Sequence, residues 1–293
     1  MSQKTETKLI MHKKSNFLTL VLLIIATYFI APLAWLVISS TKNTTDIYST
    51  FGLWFGRSIH FWDNIKLVFQ SDNGIFINWV MNSLVYSVSG AVGAAILATM
   101  AGYGFSKYDF VGAKMMFRFT LGAVMIPTAA LAIPTFVIFS KMNLVNTRWA
   151  VILPSLISPL GVYLMKVYAD TSIPKNLIEA ARIDGASEVK IFLGISLRLL
   201  MPGFITVLLL SVIGVWNNFF LPLIMLSKTE LQPLTVGLSI WSGRANGGGS
   251  GNSPEFQAAV ITASLLSIIP LCITFLFLQR FWENGLSSGA VKE

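Results

Sequence analysis

Charge is what this sequence has least of. Of its 293 residues only 12% are Asp, Glu, Lys or Arg, against 54% hydrophobic types, and the mean hydropathy is +0.70. A soluble domain carries about 25% charged residues to cover its surface, so lipid must solvate much of this chain. Cysteine is nearly absent as well. Cys272 stands alone inside an apolar run, so no disulfide can close within the chain and cysteine usage leaves the redox compartment open. The two histidines, His12 and His60, form no Cys/His cluster at zinc spacing, and no metal site is expected. No G-x-x-x-x-G-K-[ST] run occurs, so ATP is not expected to bind through a P-loop of this chain. Gly285-Leu286-Ser287-Ser288-Gly289 spells G-x-S-x-G. It follows a membrane span by a few residues, whereas a nucleophile elbow needs a strand before it and a histidine in reach, so no catalytic residue is assigned.

What is present is long uncharged runs. A helix rises about 1.5 Å per residue, so about 20 apolar residues cross the hydrocarbon core. Stretches 17–40, 80–105, 119–140, 149–165, 203–226 and 258–278 meet this length, give or take a few residues, and none contains Asp, Glu, Lys or Arg. The expected fold is all-α, a polytopic bundle of six transmembrane helices. The expected organisation is an N-terminal segment 1–16, a first span 17–40, an extracytoplasmic segment 41–79, a five-span core 80–280 and a tail 281–293. His12, Lys13 and Lys14 precede the first run as in a signal peptide. The run is too long and lacks a small-residue cleavage site, so it reads as a retained helix. With the N-terminus inside, 14 of the 21 basic residues fall in cytoplasmic segments and 7 outside, which places both termini in the cytoplasm.

Prolines 32, 127, 134, 154, 159, 222 and 270 lie in or beside the spans and predict kinks, some of them hinges. Gly90, Ala91, Gly93, Ala94, Ala95 and Ala98 predict a face of the second span that packs closely on protein. Trp54, Trp62 and Trp79 read as interface anchors of the outer segment. Ion-driven carriers place ionisable groups at bilayer depth, and these spans have none. The neutral polar residues that remain are Asn82, Ser83, Trp216, Asn217 and Asn218. They read either as interhelical hydrogen bonds or as a wet pathway, where amide and indole groups suit a polyhydroxylated ligand.

The most informative soluble stretch runs from Ser172 to Gly203. Ser172 and Pro174 open a helix, Gly185 stops it, and Ser187 caps a second short one. The product is a cytoplasmic helix–turn–helix knob. Ala180 and Ala181 are small enough for a partner to seat over them, and Glu179, Arg182, Asp184 and Glu188 ring it with charge.

This knob resembles the EAA motif of the membrane subunits of ATP-binding-cassette importers. The match is carried by Glu179-Ala180-Ala181, Asp184-Gly185-Ala186, Phe192, Ile195 and Pro202, with Arg198 departing where many members have proline. Segments 101–114, 125–136, 146–156 and 216–226 are similar to carbohydrate importer permeases, most of all to the shorter, maltose-type partner subunit. The resemblance implies a type I importer permease in a bacterial cytoplasmic membrane, half of a heterodimer with a second permease subunit. It also implies two ATPase subunits holding ATP and Mg, an extracytoplasmic solute-binding protein, a sugar substrate, and no nucleic acid. It implies ATPase coupling through Glu179, Ala180, Ala181, Arg182, Asp184, Gly185, Ala186 and Ser187 in a loop spanning 172–198. The tail would reach the ATPases through Gly285, Leu286, Ser287 and Gly289. In outer loop 227–257, the glycine-rich residues Gly243, Arg244, Asn246, Gly247 and Gly248 would meet the binding protein. A non-sugar importer of the same type, or a stand-alone channel or carrier, are the competing readings.

Overall fold

The computed structural model describes residues 16–247 and 256–290, with side chains to residue 279. Among these residues the regular structure is helical. In chain order the helices are α1 (Asn16–Ser40), α2 (Thr44–Ser49), α3 (Phe61–Gln70), α4 (Ile75–Lys107), α5 (Ala113–Val124), α6 (Thr128–Lys141), α7 (Trp149–Ser155), α8 (Pro159–Ser172), α9 (Lys175–Ile183), α10 (Glu188–Lys190), α11 (Leu197–Trp216), α12 (Phe220–Met225), α13 (Leu234–Ala245) and α14 (Phe256–Ala290). A π-helical turn, Ile191–Ser196, joins α10 to α11. Five helical runs are long and apolar enough to cross a membrane, and α5 with α6 can supply a sixth span although they meet at 107°.

That bend falls at Pro127, where a kink is expected, but it is sharp enough to divide the expected span 119–140 into two helices. Pro127 sits at ψ 126 just before α6, with no N–H to continue the ladder. The residue ahead of it is disfavoured in helix, so the chain turns a corner. The fifth expected span, 203–226, is corrected in the same way. α11 ends at Trp216, Asn217 closes its last turn on the Ile213 carbonyl, and the chain resumes as the separate α12. The fourth span is kinked between α7 and α8, where Ser158 accepts from the Gly161 N–H at 3.1 Å, and it continues to Ser172. The second is longer than expected. α4 has 33 residues, about 50 Å at 1.5 Å per residue, and overshoots a core about 30 Å thick.

α4 is the axis of the bundle, packed along α8 and α11. The small-residue face predicted for it is buried: Ala91, Ala94, Ala95 and Ala98 are at most 1% exposed. At Gly102 a Cβ would stand 2.7 Å from the Lys166 backbone nitrogen, so α4 and α8 touch there only because no side chain intervenes. Towards one end, Tyr103, Met165, Ile173, Ile191 and Leu200 form a core that also takes in Ile178 and Ala181 of α9. Towards the other, Phe76, Trp79, Trp216, Leu234 and Trp241 form a second core with α3 and α14. Trp79 is therefore not an interface anchor. It is 1% exposed and donates to the Thr229 carbonyl at 3.1 Å, while Trp54 and Trp62 stay about 70% exposed. α1 packs against α14 but presents apolar side chains outward along most of its length, and only Ser39 and Ser40 are buried.

Candidate functional site

The knob folds from local signals. Ile173 is buried and ends the approach, and Pro174 at ψ 138 stands immediately before α9. The helix then stops at Gly185, whose φ of +76 favours glycine. The Ala186 N–H reaches the Ala181 carbonyl and the Gly185 N–H the Arg182 carbonyl, both at 3.0 Å. These two bonds satisfy carbonyls that the helix end leaves free, in a Schellman closure. Ser187 accepts from the Lys190 N–H at 3.4 Å and starts α10.

The two faces of α9 differ. Ile178 and Ala181 point into the core, 4% and 7% exposed. Glu179, Ala180, Arg182, Asp184, Gly185 and Ser187 are exposed and Ala186 is half-buried. The expectation that Ala180 and Ala181 both await a partner is thus half corrected: Ala180 is available, Ala181 is packing. Ile183 at the tip is 87% exposed, an apolar residue that none of the described residues covers and that the sequence did not single out. One carboxylate organises the charged side of the knob. Arg182 donates to Glu188 through Nε at 2.7 Å and Nη2 at 3.3 Å. The Tyr108 hydroxyl donates at 2.7 Å to Glu188 Oε2, the oxygen that also faces Arg182 Nη2. The Arg182 guanidinium is held above its usual range by that bond, and burial, reinforced by Glu188, pushes the Tyr108 phenol up.

The sequence-predicted pathway residues separate. Asn217 and Asn218 border a cavity of about 1050 Å³ between the α5–α6 elbow, α7, α8 and α11, which Thr128, Ser155, Ser158 and Ser211 also line. Asn217 is exposed, with its amide on the Ile213 carbonyl at 2.9 Å. Asn82 and Trp216 are not on the cavity. Asn82 is 3% exposed, and its amide donates to the carbonyls of Glu230 at 2.7 Å and Gln232 at 3.1 Å. It pins the connecting segment at Glu230–Gln232 to α4, a hydrogen bond to a connection rather than to a second span. Trp216 is 7% exposed, inside the second core.

The start of the glycine-rich stretch expected outside is helical, because Ser242–Ala245 complete α13. Gly243, Asn246 and Gly247 are exposed. Arg244 is not free, pairing with Asp72 at 2.6 Å. Gly248 lies outside the described residues. For Gly285, Leu286, Ser287 and Gly289 only the backbone is described, and it continues α14.

Comparison with known proteins agrees with this architecture. Residues 91–288 match the family described as binding-protein-dependent transport system inner membrane component. The arabinooligosaccharides transport system permease protein AraQ of Halalkalibacterium halodurans is 33% identical over 279 residues, covering 95% of this chain and 96% of that protein. The Bacillus subtilis protein of the same name is 31% identical, over 94% of this chain and 95% of its own length. The maltodextrin transport system permease protein MdxG of Bacillus subtilis is 31% identical over 78% and 80%. Among solved structures, a chain of a bacterial ABC transporter involved in the import of the acidic polysaccharide alginate has the same fold. Its TM-score is 0.77 at 22% identity, covering 91% of this chain and 95% of that one. With a family match across most of its spans and relatives aligned nearly end to end, this chain belongs to the inner-membrane components of binding-protein-dependent transport systems and is a membrane-spanning permease subunit of an ABC transporter.

Proposed function

We propose that the chain is one half of a heterodimeric carbohydrate importer, with an oligosaccharide as cargo. It pairs with a second permease subunit, two ATPase subunits that hold ATP and Mg, and an extracytoplasmic binding protein. It sits in a bacterial cytoplasmic membrane with both termini inside. The observation that carries this reading is the knob: a short helix closed by Gly185, anchored through Ile178 and Ala181, presenting Glu179, Ala180 and Ile183 outward. Such a rigid projection with one apolar tip and a ring of charge suits a groove on a partner subunit. ATP-driven closure of the ATPases pushes the knob, and the bundle passes from inward-facing to outward-facing. The Asn217 and Asn218 wall contributes polar groups to the pathway, and the exposed outer residues around Asn246 and Gly247 meet the binding protein.

Glu179→Lys reverses charge on the exposed face, and Gly185→Asp places a side chain where φ is +76. In the reconstituted complex both variants are expected to reach the membrane yet lose most ATP-driven uptake of labelled oligosaccharide. Normal uptake by both would defeat the proposal. A complex that imports an amino acid or phosphate but no sugar would overturn the cargo alone.

A further inference from the structure

The knob has two kinds of attachment to the bundle. The first is apolar. Ile178 and Ala181 seat in the core beside Tyr103, Met165 and Ile191. Apolar contact is non-directional, so it holds the knob down without fixing how its motion is passed on. The second is directional. Two side chains donate to the Glu188 carboxylate at the start of α10: Arg182 from the last turn of α9, six residues before it, and Tyr108 from the end of α4, 80 residues before it. Charge-assisted bonds of this kind constrain both distance and angle.

The surroundings make that tie matter. Beside it opens an apolar cavity of about 570 Å³, with Met100, Leu193, Leu197 and Phe204 in its walls and Glu188 and Tyr108 on its rim. At this level α4 and the π-turn are therefore not joined by a continuous packed wall. Beyond the tie, Tyr103 bridges them, with Phe192 at 5.0 Å between ring centroids and the Ser196 hydroxyl donating at 3.3 Å. The segment that follows Glu188 is the π-turn Ile191–Ser196, a rare helical register that recurs at functional sites. A push on α9 can thus be absorbed in the π-turn or transmitted to α4, and the bonds on Glu188 decide between the two.

We propose that Glu188 and Tyr108 are positioning residues for transport, a tie that carries displacement of the knob into α4. This rests on the reading of the knob as the ATPase contact. Neither residue belongs to the EAA match.

The test uses the whole complex in liposomes with its binding protein, and reads ATP hydrolysed per sugar delivered. Tyr108→Phe removes one hydroxyl and leaves the Arg182–Glu188 pair in place. It is expected to keep membrane level, ATPase retention and basal hydrolysis, while ATP per sugar rises about fivefold, the factor that loss of one such bond applies to an equilibrium between states. Glu188→Gln should raise it at least as much, and the double variant should be no worse than Glu188→Gln, because the two residues act through one contact. An unchanged ratio in Tyr108→Phe, or additive effects in the double variant, overturns the tie. Should Glu188→Gln fail to assemble, Tyr108→Phe still decides. Glu179→Lys runs alongside: if it leaves uptake normal, the knob reading itself fails and the tie falls with it, whereas a crippled Glu179→Lys beside a silent Tyr108→Phe rejects the tie alone.

Discussion

At the scale of single residues, Asp72 shows how a polar side chain can hold a costly backbone in place. Asp72, Asn73 and Gly74 have φ of 49°, 58° and 78°, a left-handed run at the entry to α4. Each non-glycine residue there costs about 1–2 kcal/mol, least for Asp and Asn. The Asp72 carboxylate offsets this by accepting from the Trp241 indole at 2.8 Å and the Arg244 guanidinium at 2.6 Å. Trp241 in turn meets Trp79 edge-on at 4.9 Å, and Arg244 lies 6.0 Å over the Phe256 ring. One carboxylate therefore clasps the entry to α4 onto α13 beside the start of α14. Both partners of the ion pair are partly exposed, so the pair itself is worth at most about 1 kcal/mol. The Trp241 N–H is the larger stake: leaving a buried donor unpaired costs about 1–3 kcal/mol. Asp72→Ala should lower the thermal midpoint of the detergent-solubilised complex clearly more than Asp72→Asn, which keeps an acceptor for the indole. High salt should shrink the gap between wild type and each variant by the ion-pair part and leave the gap between Asp72→Asn and Asp72→Ala unchanged. Equal losses in the two variants would mean that the indole bond contributes nothing.

At the scale of elements, what was legible in the sequence is what is determined locally. The knob could be read because Pro174, Gly185 and Ser187 punctuate it within a few residues, and its closure follows from backbone bonds between near neighbours. The kink of α5 against α6 was legible in Pro127, but its size was not, because hydropathy measures length along the chain and is blind to direction. α13 was hidden because its apolar residues sit beside a glycine run, and it is Leu234, Val236 and Trp241, packed against α4 and α14, that hold the stretch in place. Asn82 could have joined a pathway or a hydrogen bond, and the choice was made by carbonyls about 150 positions away. Helix contacts also decide which glycines matter. Gly102 and Gly104 lie in the same turn of α4, yet a Cβ at Gly102 collides with the α8 backbone while one at Gly104 meets nothing within 4 Å. Gly102→Ala should force α4 and α8 apart and reduce the amount of folded chain recovered from the membrane. Gly104→Ala should leave it unchanged or raise the thermal midpoint, since Ala is favoured over Gly in a helix interior by about 0.5–1 kcal/mol. The reverse order in a fluorescence-detected stability assay would contradict the packing described for this pair.

At the scale of the whole molecule, the scarcity of charge becomes a statement about energy. The six apolar stretches hold no Asp, Glu, Lys or Arg, and a carrier that runs on a proton or sodium gradient needs groups at bilayer depth that bind and release the ion. The cavity beside Asn217 and Asn218 has mostly apolar walls, with Ser, Thr and Asn supplying the polar lining. Such groups can solvate a neutral polyhydroxylated ligand through hydrogen bonds, but they hold no charge that a gradient could work on. In the importer proposed above, force enters from the ends of the helices, and the knob offers a handle whose apolar tip, Ile183, is covered by none of the described residues. The expected result is that this chain alone in liposomes moves no labelled oligosaccharide, with or without a pH or sodium gradient, and that uptake appears only when the second permease, the ATPases, the binding protein and ATP are all supplied. Gradient-driven uptake by the chain alone would place an ion site in the bundle and remove the need for the knob. Replacing Ile183 by Asp in the complete system sharpens the comparison. A charge at the tip of a knob seated in an apolar groove must be desolvated without a partner, so ATPase retention on the membrane should fall while the chain's own membrane level stays constant.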